Sequence, residues 1–139
     1  MTSFTFVEIA PMIALFAVLA YGVWVTAGPD GQWQPPLAAW IIPAGLSALF
    51  GAFSIATLWQ EGLIAVYTNH SQNLWGNQVW FDLLLAVAMS WTLLLPYARR
   101  HGTRILPWMI FVFATASIGL LALAARVLYL EARRPKHNA

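Results

Sequence analysis

Charged residues divide this chain more clearly than any motif does: none occurs between Glu8 and Asp30, Asp30 and Glu61, Asp82 and Arg99, or Arg104 and Arg126. Each of those apolar runs, with its flanks, has the length of a membrane-crossing helix, since a bilayer core of ~30 Å takes about 20 helical residues. The pattern predicts helices over residues 5–27, 37–59, 78–98 and 105–130. Turn chemistry separates them. Gly28-Pro29-Asp30-Gly31 and Pro35-Pro36 end the first span, because proline lacks a backbone donor and clashes one turn back. Gly102 punctuates the short connector from Arg99 to Arg104. The expected fold is therefore all-α, a single integral membrane domain over residues 1–139 with four transmembrane helices paired as two antiparallel hairpins. The first apolar segment has no basic residue before it, so it is expected to stay as a span and not to act as a cleaved signal.

The connector 60–77 is longer. It carries Asn69, His70, Ser71, Gln72 and Asn73 with Tyr67 and Trp75 interleaved, which predicts a segment lying in the membrane interface with one or two helical turns over 63–67. Trp24, Trp40, Trp59, Trp80 and Trp108 fall near expected span ends, where an amphipathic ring is best accommodated. Trp91 falls mid-span, where it is expected to pack against a neighbouring helix or a bound apolar ligand. Small residues at Ala44, Ala48, Ala52 and Ala56, with Ser47 and Gly51 beside them, and Thr115, Gly119 and Ala122 in the last span, predict faces for close helix packing.

Composition agrees with lipid as the main solvent. Of 139 residues, 60% are hydrophobic and 9% charged, against roughly 25% charged in soluble domains. Cysteine is absent, which excludes disulfides, thiolate metal centres and cysteine nucleophiles. Every Lys and Arg lies at or beyond Arg99, in clusters too small for a nucleic-acid surface. Arg99, Arg100 and Arg104 then stand against Arg133, Arg134 and Lys136 on the opposite side of a four-span protein, so the positive-inside rule is tied. The neutral, Asn- and Trp-rich connector 60–77 tips the expectation towards a cytoplasmic third connector, in a bacterial inner membrane. The arginines at 99, 100, 104, 133 and 134 read as anchors to anionic headgroups.

Four crossings would bring Glu8, Asp82 and Arg126 to one side at comparable depth. Ionisable groups inside a span are costly and usually pair, so Asp82 and Arg126 are expected to form an ion pair, with Glu8 as second partner or as a desolvated carboxyl. Beneath a lid of His70, Asn73 and Asn77, and with Trp91 nearby, these residues would line a half-polar pocket suited to an amphipathic lipid such as an isoprenoid, quinone or carotenoid. Asp82 and Glu8 are the candidates for acid–base work there. No metal or haem is expected, because His70, His101 and His137 all lie in connectors or the tail. Phosphate loops and serine-centred elbows are also absent from the sequence.

Phe81-Asp82-Leu83 opening a span, Ala98-Arg99-Arg100 with Gly102, Pro107-Trp108 opening the last span, and a basic end after Leu128-Tyr129-Leu130 resemble a family of short bacterial membrane proteins known only as a domain of unknown function. The resemblance covers about half the chain, from Trp59 to Arg134, and implies topology and a role for Asp82 but no reaction. In layout the chain is also similar to small integral-membrane terpene cyclases, which implies intramembrane carboxyls acting on polyprenes. Without a catalytic constellation, the leading expectation is a non-catalytic accessory subunit of a larger membrane complex, with lipids and other membrane subunits as partners. An amphipathic-lipid enzyme or binding protein is the alternative. A small transporter, suggested by Pro11 and Pro43 in the first turns of two spans, comes third.

Overall fold

Apolar segments that cannot hydrogen-bond to solvent close into helices wherever proline and glycine permit. In the computed structural model, which describes residues 6–26 and 38–133, every regular element is accordingly an α-helix. They are α1 (Phe6–Thr26), α2 (Ile41–Glu61), α3 (Ile64–Ser71), α4 (Leu74–Arg100), α5 (Ile105–Thr115) and α6 (Ser117–Ala132). The chain divides into two units, residues 1–34 with α1, and residues 35–139 with α2 to α6. In the first unit, α1 matches the expected first helix to within a residue and carries Pro11 inside it.

In the second unit, α2 and α4 are long and apolar enough to cross a membrane; at 1.5 Å per residue they run ~31 and ~40 Å. The eight residues of α3 fill the connector expected to form helical turns. A further expectation, one continuous helix over 105–130, is corrected. The chain breaks at Ala116, whose backbone sits at φ 50 and ψ −114, leaving α5 and α6 at ~16 and ~24 Å, each short of a ~30 Å bilayer core. The break reverses the chain. A Cβ added at Gly119 would lie 2.6 Å from the Cα of Val112, whereas positions seven apart on one continuous helix are separated by ~10 Å. So α5 and α6 form a hairpin, and within the second unit the expected pair of full-length spans over 78–98 and 105–130 gives way to one long helix and a short hairpin; the connector expected to join the first two helices lies outside the described residues.

The far end of α6 identifies where the hairpin returns. Glu131 Oε1 is 3.0 Å from His101 Nε2 and 3.8 Å from Arg100 Nη1, so α6 ends beside the end of α4, from which α5 departs. Against α2 it runs antiparallel. Trp40 meets Tyr129 edge-on with ring centroids 5.6 Å apart, and Ser47 Oγ donates to the Ile118 carbonyl at 2.9 Å. Ala98, Leu123 and Val127 form the buried centre, with Trp91, Leu94, Ile105 and Trp108 packed around it.

On α2 the packing stripe differs from the expected alanine row. Ser47 is buried and Ala44, Gly51 and Ser54 are half-buried, while Ala48, Ala52 and Ala56 are exposed. Geometry explains this: a residue every four positions advances 400° and drifts about 40° per step. A row spaced strictly by four therefore winds off the face that its first member occupies.

The connector between α4 and α5 is a Schellman turn. Gly102 N–H donates to Arg99 O at 2.9 Å and Thr103 N–H to Ala98 O at 3.0 Å. This closure requires the left-handed φ of 65° at Gly102, which a residue without Cβ adopts at no steric cost.

Candidate functional site

Two clusters of polar groups stand out in the second unit, the hairpin tip and the end where α2 begins and α4 and α6 finish. At the tip, a broken helix leaves backbone donors and acceptors without intrahelical partners. Thr115 answers this need on both sides: its hydroxyl donates to Phe111 O at 2.7 Å and accepts from Gly119 N–H at 3.1 Å. Ala116 N–H reaches Val112 O, and Leu120 N–H reaches Ala116 O. Ser47 then ties the tip to α2 through the Ile118 carbonyl. Interhelical bonds of this kind average about 0.6 kcal/mol within membranes. Ser47→Ala should therefore lower stability by about 0.5–1 kcal/mol, read as a small shift in the unfolding midpoint in detergent.

Ala116 bears a conformational cost for the reversal, because positive φ brings its Cβ against the backbone, a strain of order 1–3 kcal/mol. Glycine at that position keeps the hairpin without the strain. Ala116→Gly is expected to raise stability by about 1 kcal/mol in the same unfolding assay, part of the gain being offset by the greater freedom of the unfolded chain.

At the other cluster, Glu131 is 22% exposed and clamped between Arg100 and His101. The 3.0 Å approach of His101 Nε2 lacks hydrogen-bond alignment, and His101 Nε2 and Thr103 Oγ1 are both buried with no hydrogen-bond partner. Arg100 also lies over the Tyr97 ring, 5.4 Å from its centroid, and Arg133 over Tyr129 at 4.4 Å. Arg99, Arg104 and Arg133 are exposed around them. The hairpin therefore brings Arg133 to the end that carries Arg99, Arg100 and Arg104, correcting the expectation that they oppose it across the membrane. Arg134 and Lys136 lie outside the described residues.

The expected ion pair of Asp82 with Arg126 does not form. Both are exposed, and among the described residues the arginine–carboxylate pair is that of Arg100 with Glu131. Chain reversal at Ala116 is the reason: Asp82 lies ~27 Å along α4 from Arg100, whereas Arg126 lies only ~8 Å back from Glu131. The two charges end up ~20 Å apart along the helix axes. Glu8 falls in α1, but its side chain lies outside those described.

The lid residues have local tasks. Asn73 caps α4, its Oδ1 accepting from Gly76 N–H at 2.8 Å, and Asn77 Nδ2 donates to Asn73 O at 3.2 Å. His70 Nδ1 lies 2.7 Å from Val66 O, and its ring rests against Trp80. These contacts fasten the corner between α3 and α4, and Asp82 lies exposed on α4. Trp91 meets Phe113 edge-on at 6.0 Å and belongs to the packing around the core.

Comparison with protein-family models, curated sequences and solved structures gives no match. The motif resemblance of the second half therefore supports no functional assignment, and function is to be read from the chain's own residues. Those that the sequence does not single out are Glu131, Thr103 and Ala116, together with His101, which reads there only as a connector histidine. Glu131 sits only two residues before Arg133, so in sequence it looks like one more surface charge of the tail. Its meaning comes from the reversal at Ala116, where nothing in a hydropathy average marks a turn.

Proposed function

We propose that this chain is an integral membrane protein in which α2 and α4 cross the bilayer and α5–α6 enters from one face and returns to it. Its role is that of a non-catalytic subunit within a larger membrane assembly. The observation that carries the membrane reading is how little of the apolar surface is buried: among the described residues the buried apolar set is Val87, Ala98, Val112, Leu123, Ala125 and Val127. Ile42, Leu49, Phe53, Ile55, Leu85 and Met89 on the two long helices face outward, an amount of exposed apolar surface that water does not tolerate. At the corner away from the basic end, Trp59 is 90% exposed, with Leu63, Ile64, Tyr67 and Trp75 also outward. That pattern fits α3 lying along the opposite interface.

The basic end is cytoplasmic in this reading. With Arg99, Arg100, Arg104 and Arg133 together, the positive-inside rule gives an undivided vote. The membrane is the bacterial inner membrane.

What supports a subunit role is the second small face of α2. Its first face, Ala44, Ser47 and Gly51, is taken by α6, while Ala48, Ala52 and Ala56 are left open to a close-packing helix. Small residues permit that approach, and association in lipid depends on it. Purification in mild detergent tests the role. Stoichiometric partner subunits that are lost in an Ala48→Leu, Ala52→Leu double variant are the expected result, and a chain that is monomeric both before and after the change contradicts it.

A further inference from the structure

We infer that the end of the second unit formed by the 99–104 connector and the α6 terminus is a docking surface selective for anionic phospholipid, with Glu131 as an internal counter-anion that tempers it. The inference rests on the membrane reading above. Four arginines meet there: Arg99, Arg100 and Arg104 from the connector, and Arg133 from the end of α6, brought alongside by the Glu131 contacts. Arg99, Arg104 and Arg133 have no carboxylate partner among the described residues, whereas Arg100 shares Glu131 with His101.

Arginine suits a phosphodiester. Its planar fork donates in pairs to phosphate oxygens, and it loses less hydration than an ammonium in doing so. Two of the four are shelved on aromatic rings, Arg100 on Tyr97 and Arg133 on Tyr129, and Trp40 packs on Tyr129. Tyrosine and tryptophan settle at headgroup depth, so these contacts hold the guanidinium groups where lipid phosphates lie. The other end supplies the contrast. Around α3 and the start of α4 the charges are Glu61 and Asp82, with no Lys or Arg. Charge complementarity therefore directs an anionic headgroup to one leaflet only.

Glu131 sets the strength of the surface. Being mostly shielded and within reach of both Arg100 and His101, it occupies one guanidinium that a phosphate would otherwise take. Neutralising it frees Arg100.

The full-length chain, purified in a zwitterionic detergent, would be titrated with phosphatidylglycerol or phosphatidylcholine, and retained lipid counted by native mass spectrometry. Wild type is expected to retain phosphatidylglycerol in clear preference. Arg104→Gln and Arg133→Gln should each reduce that preference ~5-fold, the value of one basic residue near an anionic surface; Glu131→Gln should increase it. Equal retention of the two lipids by wild type overturns the inference, as does a Glu131→Gln preference at or below that of wild type. An inorganic phosphate arm that abolishes phosphatidylglycerol retention at equal concentration would also overturn it, by assigning the site to free phosphate. Release of the protein from membranes by alkaline carbonate would overturn the membrane reading itself, whereas resistance to carbonate with equal lipid retention overturns only this inference.

Discussion

Valine in place of Gly119 is expected to leave little folded protein in detergent, with a loss of about 2–4 kcal/mol, the upper range for overpacking. The atoms that its Cβ would strike are backbone: Val112 Cα at 2.6 Å, Val112 N at 2.9 Å and Phe111 O at 3.0 Å. A flexible side chain can swing aside, but a helix backbone can yield only by moving the whole of α5. That movement would also draw Gly119 N–H away from Thr115 Oγ1 and leave a polar group unsatisfied inside an apolar surround. Gly51 supplies the control. A Cβ there would meet only Ile118 Cγ2, at 3.8 Å, an ordinary contact, so Gly51→Ala should unfold within ~0.5 kcal/mol of wild type. Denaturant titration followed by tryptophan fluorescence separates the two. Equal midpoints for the Gly119 and Gly51 variants would refute the close crossing of α5 and α6.

Truncating Leu123 to alanine should produce the second large effect, about 2 kcal/mol. Leu123 is fully buried at the centre of the packing formed with Ala98 and Val127. In lipid the usual transfer contribution is small, because acyl chains are as apolar as leucine. The expected loss comes from dispersion contacts that the cavity leaves without partners. Leu49, at 71% exposed on α2, should tolerate alanine within ~0.5 kcal/mol, measured in the same titration. If the two changes cost the same, Leu123 is not packed as described.

How much of this structure is legible in the sequence differs from residue to residue. Uncharged runs locate α1, α2 and α4 within a few residues, because a long apolar segment with proline or glycine at its ends has few options other than a helix. Hydropathy does not find the break at Ala116. Thr115, Ala116, Ser117 and Gly119 are all tolerated within a membrane helix, and an average over about 20 residues hides a reversal made at one of them, Ala116. The consequences reach far along the chain. Reading 105–130 as one continuous span puts Arg126 beside Asp82 and Arg133 opposite Arg104, so the expected ion pair and the tied orientation both follow from one unmarked turn. Gly119 is legible as a packing residue, but its partner is α5, inside what reads as the same span. The alanine row of α2 fails for a different reason: spacing by four approximates a helix face for two steps and has drifted by about 120° after three.

The return of α6 to the side from which α5 departs is tested most directly by the side from which each end can be reached. Because the chain contains no cysteine, single cysteines at Gln60, Arg104 and Arg133 can be introduced without background and labelled in intact cells and inverted vesicles with an impermeant maleimide. The returning hairpin predicts that Arg104→Cys and Arg133→Cys are labelled from the same, cytoplasmic side and Gln60→Cys from the other. Labelling of Arg104→Cys and Arg133→Cys from opposite sides would contradict it and restore a continuous last span.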